Sequence, residues 1–184
     1  CSTGGPKALQ SVIPKLKKDM DAPMLVVQHM PAGFTLSLAN RLNEISEVDV
    51  KEAEEGDVLR KGVVYIAKGG SHMELRNNGR ESVIHLNTSP PRDGLRPCAN
   101  IMYESLCNLN YDEIICVVLT GMDSDGTVGI RELKKHKKIN VIAQDADSSV
   151  VYGMPKAIYE AGLVNEVVAL DKIADTIMRK VEVQ

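Results

Sequence analysis

The stretch IICVVLTGMDSDG, residues 114–126, joins the most apolar run of the sequence to a polar loop that contains two glycines. An uninterrupted apolar run such as Ile114 to Leu119 is typical of a strand that is buried on both faces, as central strands of parallel sheets are. In open α/β sheets, ligands bind beyond the carboxyl ends of the strands. The loop that carries Met122, Asp123 and Asp125 therefore lies where a functional site is expected.

The same pattern recurs nearer the start of the chain, where the apolar segment MLVVQ, residues 24–28, is followed directly by His29. Apolar residues then recur at helical spacing from Phe34 to Ile45, which predicts a strand followed by a helix. The later segments NVIA and VNEVV continue this alternation. The chain is predicted to form a doubly wound, three-layer αβα domain with a mostly parallel sheet.

The region from Glu47 to Leu86 has a different pattern, with the short strand-like segments VDVKE, VVYIA, MEL and SVIHL and a turn at Asn77-Asn78-Gly79. No helical periodicity separates these segments. Because parallel strands are usually connected through a helix, we expect an antiparallel β excursion attached to the parallel sheet.

Composition limits the classes of function. With 184 residues and 43% hydrophobic content, residues 1–184 are expected to form one domain. The formal net charge is −3 and the basic residues are scattered, so neither nucleic acid nor a membrane surface is expected as a partner. The longest apolar run is far shorter than the roughly 20 residues of a membrane span. No metal or cofactor motif is complete, the four cysteines are expected to be reduced thiols, and a cytoplasmic protein is predicted.

The opening stretch CSTGGPKALQ, residues 1–10, places Ser2 just before a helix start. Gly4 and Gly5 allow positive φ and close backbone approach, and Pro6 favours the first helical turn. Free N–H groups at a helix start suit either a phosphate or a developing oxyanion. The simpler interpretation is that Ser2 or Thr3 caps the helix.

The chemistry of Ser2, His29 and Asp125 fits a single mechanism. A serine hydroxyl becomes a nucleophile when an imidazole takes its proton, and a carboxylate orients that imidazole and stabilises its charged form. Two alternatives stay open at this point. The helix start could belong to a non-catalytic phosphate- or nucleotide-binding module, and Asp123 or Asp125 could cap the following helix.

A calcium loop is a third alternative, because Asp123, Asp125, Gly126 and Glu132 match four positions of the EF-hand pattern. Its first ligand position would be Gly121, which has no side chain, and an apolar strand rather than a helix precedes it. The sequence therefore predicts no metal ion here.

Four motifs, STGGP, VVQHMPAGFTLSLANRLN, VVLTGMDSDGTVGI and AQDADSSVVYGMPKAI, together resemble the bacterial chemotaxis receptor methylesterase family over nearly the whole chain. The resemblance implies a catalytic triad of Ser2, His29 and Asp125, with Thr3 and Met122 beside the oxyanion site. It also implies hydrolysis of glutamyl methyl esters on receptor signalling helices, glutamine deamidation as a second activity, and no cofactor.

The resemblance further implies an N-terminal receiver domain in the full-length protein, and a strand before Ser2 that would lie upstream of Cys1. One segment departs from the family pattern. Where members commonly have Arg-Pro-Ser, an apolar residue and Asp, this chain has Arg96, Pro97, Cys98, Ala99 and Asn100. The role of this segment in substrate contacts is therefore open.

Overall fold

A computed structural model describes residues 1–182 and shows two three-stranded parallel sheets and one antiparallel hairpin. The first sheet has the strand order β1-β3-β2, and the second has the order β6-β7-β8. The hairpin consists of β4 and β5. The strands are β1 (Met24–Val26), β2 (Asp49–Glu52), β3 (Val63–Ile66), β4 (His72–Asn78), β5 (Glu81–Asn87), β6 (Glu113–Val118), β7 (Lys138–Gln144) and β8 (Glu166–Val168). The helices are α1 (Gly5–Val12), α2 (Phe34–Ile45), α3 (Ala99–Ser105), α4 (Thr127–Lys134), α5 (Met154–Glu160) and α6 (Leu170–Glu182).

The strands separate two apolar cores, as expected of a three-layer arrangement. Successive strand residues point to opposite faces of a sheet, so Val26 belongs to one core and Val27 to the other. The first core packs against α1, α2 and α6, and the second against α3, α4, α5 and the β4–β5 hairpin. The predicted αβα architecture is confirmed.

The prediction for residues 47–86 is wrong for its first two strands. Both β1 and β2 pair with β3 in parallel, and only β4 and β5 are antiparallel. No helix connects β2 to β3. Residues 53–62 instead make the crossover as an extended loop that is hydrogen-bonded to β5, where Gly56 N–H donates to Ile84 O at 2.9 Å and Leu59 N–H to Ser82 O at 2.9 Å. These bonds to the hairpin replace those that a helix would make internally.

Cys1 and Ser2 lie between the two parallel sheets. Cys1 N donates to Val27 O and Cys1 O accepts from His29 N, both at 3.0 Å, just beyond β1. On the other side Ser2 N–H donates to Thr120 O at 3.0 Å, just beyond β6. Below them an apolar groove of about 470 Å³ separates β1 from β6. The strand predicted to precede Ser2 falls outside residues 1–184 and stays a prediction.

Within residues 1–182, no helix has both the length and the apolar character that a membrane crossing requires.

Candidate active site

The backbone around Ser2 is held by close contacts that only glycine permits. Gly4 has φ 81°, and a Cβ there would lie 2.6 Å from the Cβ of Val150. A Cβ on Gly5 would overlap the buried amide of Gln28, whose Nε2 donates to Ser2 O at 3.0 Å. Helix α1 begins at Gly5 with Gly4 as its N-cap, and no side chain caps it. The interpretation of Ser2 or Thr3 as a capping residue is therefore wrong.

The Ser2 hydroxyl lies against the loop after β6. Met122 N–H donates to Ser2 Oγ at 3.0 Å. A Cβ on Gly121 would lie 2.5 Å from the same oxygen, so the glycine allows the loop to approach the hydroxyl closely. Thr3 is exposed, and its N–H donates to no acceptor in the described part of the chain. The Met122 N–H thus lies beside the hydroxyl, and Thr3 follows Ser2 directly in the chain with a backbone N–H that has no acceptor among residues 1–182.

His29 lies between two carboxylates. Its Nε2 is 2.7 Å from Asp125 Oδ2, and its Nδ1 is 3.1 Å from Asp123 Oδ2, although the ring is not aligned for a hydrogen bond to Asp123. The imidazole is only 9% exposed. No hydrogen bond joins Ser2 Oγ to His29 among residues 1–182. The structure therefore brings His29 and Asp125 into contact, while the serine hydroxyl is bonded to Met122.

Asp125 is fixed by the start of α3. Its carboxylate accepts from Ala99 N–H at 2.6 Å and Asn100 N–H at 2.9 Å, and the Cys98 thiol donates to it at 3.2 Å. Burial raises the pKa of Asp125, but the hydrogen bonds from His29 and from the two N–H groups outweigh burial and lower it to about 2. Asp125 therefore stays ionised beside His29. The N-cap of α4 is Gly126, so the interpretation of Asp123 or Asp125 as its side-chain cap is wrong.

Asn100 reciprocates at the start of α4. Its buried Oδ1 accepts from Gly126 N–H at 2.9 Å and Gly129 N–H at 2.8 Å. The Asp125 carboxylate, in the loop before α4, thus accepts hydrogen bonds from the start of α3. The Asn100 side chain, at the start of α3, accepts hydrogen bonds from the start of α4. This exchange fixes the loop that carries Asp125 in front of His29.

Comparison with known proteins agrees with this geometry. A family model described as CheB methylesterase matches residues 1–177. The chain belongs to the CheB methylesterase family. A crystal structure of the Thermotoga maritima CheB methylesterase catalytic domain superposes with a TM-score of 0.93 at 40% sequence identity, covering 97% of this chain and 94% of that one.

Curated relatives in the CheB methylesterase family carry the name protein-glutamate methylesterase/protein-glutamine glutaminase. The relative from Halalkalibacterium halodurans is 51% identical over 179 residues, which cover 97% of this chain and 51% of the relative. The relative from Pyrococcus abyssi is 48% identical over 181 residues, covering 98% and 49%. The chain therefore spans about half the length of the curated relatives that it matches.

The pKa of His29 reflects its position between the carboxylates. Burial acts to lower it, but contact with Asp123 and with Asp125 outweighs burial, so the pKa is raised above its ordinary value of 6.5. The side chain is therefore more readily protonated than a free histidine. The raised pKa stabilises the imidazolium form, which is the form that His29 takes on when it accepts a proton.

Sequence reasoning missed the residues that hold Asp125 in this CheB methylesterase family member. Cys98, Ala99 and Asn100 were noted only as a departure from the family pattern, and they prove to bind Asp125 directly or to hold its loop. No local signal in the sequence marked Asn100, because the N–H groups that its side chain binds lie 26 and 29 residues away.

The loop arginines have structural partners. Arg92 makes a two-pronged ion pair with Glu104 at 2.8 and 2.7 Å, and Arg96 donates to the carbonyl groups of Thr88 and Ser89. Arg92 therefore faces an acidic partner, whereas Arg96 is bound to backbone carbonyl groups. In the described residues no group of three or more His, Cys, Asp or Glu side chains is arranged to hold a metal ion.

Proposed function

We propose that this chain hydrolyses glutamyl methyl esters on chemotaxis receptors, with Ser2 as nucleophile, His29 as general base and Asp125 as the carboxylate that orients His29. The contact of 2.7 Å between His29 Nε2 and Asp125 Oδ2, formed beside Ser2, is the observation that carries this proposal. Membership of the CheB methylesterase family and the names of the curated relatives support the same reaction.

Because Asp125 occupies Nε2, Nδ1 is the nitrogen that takes the Ser2 proton. Catalytic hydrogen bonds often form only when substrate binds, and here the Ser2 hydroxyl must turn towards Nδ1 to start the reaction. Ser2 Oγ attacks the ester carbonyl and forms a tetrahedral intermediate. His29 then returns the proton to the departing methoxide, which leaves as methanol, and water hydrolyses the glutamyl-serine ester by the same steps.

The negative charge of the intermediate needs donors. The N–H of Met122 already points at Ser2 Oγ, and the N–H of Thr3 has no acceptor among the described residues. We assign these two groups to the oxyanion site, where fixed donors stabilise developing charge. Thr3 lies in the loop before α1, and Thr120 Oγ1 fixes that loop by donating to Thr3 O at 2.9 Å.

The same machinery would deamidate glutamine, the second activity in the relatives' name. The amide nitrogen is a poorer leaving group than methoxide, and it must take a proton from His29 before it departs as ammonia. We therefore expect the ester to react faster than the amide. No cofactor is required for either reaction.

A serine-directed fluorophosphonate tests the nucleophile. We expect covalent labelling of Ser2 and parallel loss of methyl ester hydrolysis, with no labelling of the Ser2→Ala variant. Ser11→Ala is the matched control, because Ser11 lies on α1 and its hydroxyl contacts only Lys7 O at 3.4 Å. Stabilisation by phosphate without labelling would favour the phosphate-binding module instead.

The remaining predictions concern partners and location. We propose receptor signalling helices as the substrate, a cytoplasmic site of action, and control by an N-terminal receiver domain in the full-length protein. Ester hydrolysis by residues 1–184 should then not respond to acetyl phosphate, whereas the full-length protein should be activated. A response by residues 1–184 alone would contradict control by a receiver domain.

A further inference from the structure

The two carboxylates that flank His29 are held very differently. The Asp125 side chain is 2% exposed and accepts hydrogen bonds from two backbone N–H groups and a thiol in addition to its contact with His29. The Asp123 side chain is 34% exposed, and apart from His29 its one partner among the described residues is the N–H of Asp125 at 2.9 Å. Asp125 is therefore held by four groups, whereas Asp123 is held by two and is partly open to solvent.

Asp123 also lies beside the nitrogen that the proposed mechanism needs, although it makes no aligned hydrogen bond to it. With Nε2 bound to Asp125, only Nδ1 is left to take the Ser2 proton, and Asp123 Oδ2 lies 3.1 Å from it. We propose that Asp123 is a positioning residue that competes with Ser2 for Nδ1, so that His29 becomes available as a base only when Asp123 turns away. This inference rests on the proposed role of His29.

The protonation state of His29 decides which contact is favourable. A charged imidazole has an N–H on both nitrogens and is attracted to both carboxylates. A neutral imidazole bonded to Asp125 through Nε2–H has a lone pair on Nδ1, which repels the negative Asp123 oxygen. The arrangement in the structure therefore suits the imidazolium, and loss of its proton releases Asp123 and opens Nδ1 to Ser2.

The charged groups that face His29 are Asp123, Asp125 and the Cys1 amino group where the chain begins at Cys1. Of these, Asp125 and the amino group are unchanged when only Asp123 is substituted. A difference between the wild-type chain and an Asp123 variant thus reports the Asp123 carboxylate alone.

The test is the pH profile of ester hydrolysis for Asp123→Asn and Asp123→Ser, each normalised to its own alkaline plateau. Removing a neighbouring negative charge makes the imidazole easier to deprotonate, so we expect about threefold to tenfold higher relative activity near pH 6. Serine retains an oxygen for the Asp125 N–H. Asp175→Asn, an exposed position on α6, makes the same change in net charge and should leave the profile unmoved.

NMR titration of the His29 ring gives a second readout that does not depend on turnover. In both Asp123 variants, the midpoint of the ring titration should fall together with that of the pH profile. Equal midpoints in the wild-type chain and both variants would overturn the role of Asp123. By contrast, ester hydrolysis that survives Ser2→Ala would overturn the proposed nucleophile. The ring titration would still test the contact between Asp123 and His29.

Discussion

Two regions meet at His29 and are built in opposite ways. The buried corner, formed by residues 98–100 together with Asp125, Gly126 and Gly129, is closed to solvent and its polar groups are bonded to one another. The open edge, formed by residues 2–4 and 121–123, carries the exposed Met122 side chain and the Thr3 N–H, which has no acceptor among residues 1–182. Both regions have backbone N–H groups near helix starts. In the corner, these N–H groups donate to the side-chain oxygens of Asp125 and Asn100.

The difference separates two tasks. The corner holds one carboxylate in a single position and keeps its pKa low, so the orientation of His29 does not depend on substrate. At the edge, the Thr3 N–H has no acceptor among the described residues and the Met122 N–H donates to the Ser2 hydroxyl, so both lie where a reaction would create charge. The comparison predicts that substitutions in the edge lower turnover mainly, whereas substitutions in the corner lower the free energy of unfolding as well.

The largest expected effect is loss of the nucleophile or base. Ser2→Ala or His29→Ala should lower ester turnover by about 10⁴- to 10⁶-fold, as in other triads. Because the residues act as a unit, the double variant should cost little more than the worse single variant. Losses that multiply would show that they act independently. Cys1→Ala is the matched control, and loss of turnover there with Ser2→Ala active would instead identify the thiol as nucleophile.

The open edge is tested by Gly121→Ala. The new methyl group would lie 2.5 Å from Ser2 Oγ and would push the hydroxyl or the loop away from its position. We expect turnover to fall about tenfold to a hundredfold, since displacement by about 1 Å has effects of that size. Gly79→Ala, at the hairpin turn far from these contacts, provides a comparison for backbone strain. Unchanged turnover would mean that the edge tolerates movement.

The buried corner is tested by Asn100→Ala, which leaves the N–H groups of Gly126 and Gly129 without their acceptor. Each buried unpaired donor costs about 1–3 kcal/mol, so the free energy of unfolding should fall by a few kcal/mol in denaturant titrations. Asn100→Ser retains an acceptor oxygen without adding a charge beside Asp125, and should recover part of the loss. Equal destabilisation by both substitutions would argue that the lost contact is not the hydrogen bond.

The smallest expected effect is the response to pH. Turnover requires neutral His29, whose pKa is raised above 6.5, so activity should fall about tenfold per pH unit below that pKa. The contribution of His29 to the free energy of unfolding changes with pH in the opposite direction. Because the pKa of His29 is raised in the folded state, the protonated ring stabilises the fold at low pH, and this contribution is lost as the pH rises through that pKa. Asp125, with its pKa lowered to about 2, stabilises above the unfolded value of 3.8 and loses this contribution as pH falls towards 2. A pH titration that follows both turnover and unfolding separates the two.

The sequence predicted Ser2, His29 and Asp125 together because strand ends and helix starts are local patterns whose position in a parallel sheet is known. Asn100 was missed because its hydrogen bonds span 26 and 29 residues and leave no local pattern. The parallel pairing of β2 with β3 was missed for a similar reason. Its crossover is stabilised by hydrogen bonds to β5, which follows it in the chain, and not by its own periodicity.

The position of Cys1 and Ser2 between the two parallel sheets links turnover to tertiary assembly. The backbone around Ser2 takes its bonds from the ends of both β1 and β6, so the hydroxyl is placed correctly only while the two halves of the molecule keep their mutual distance. Turnover therefore reports on the packing of the two parallel sheets against each other. In a denaturant series, we expect turnover to be lost at a lower denaturant concentration than the circular dichroism signal of the helices.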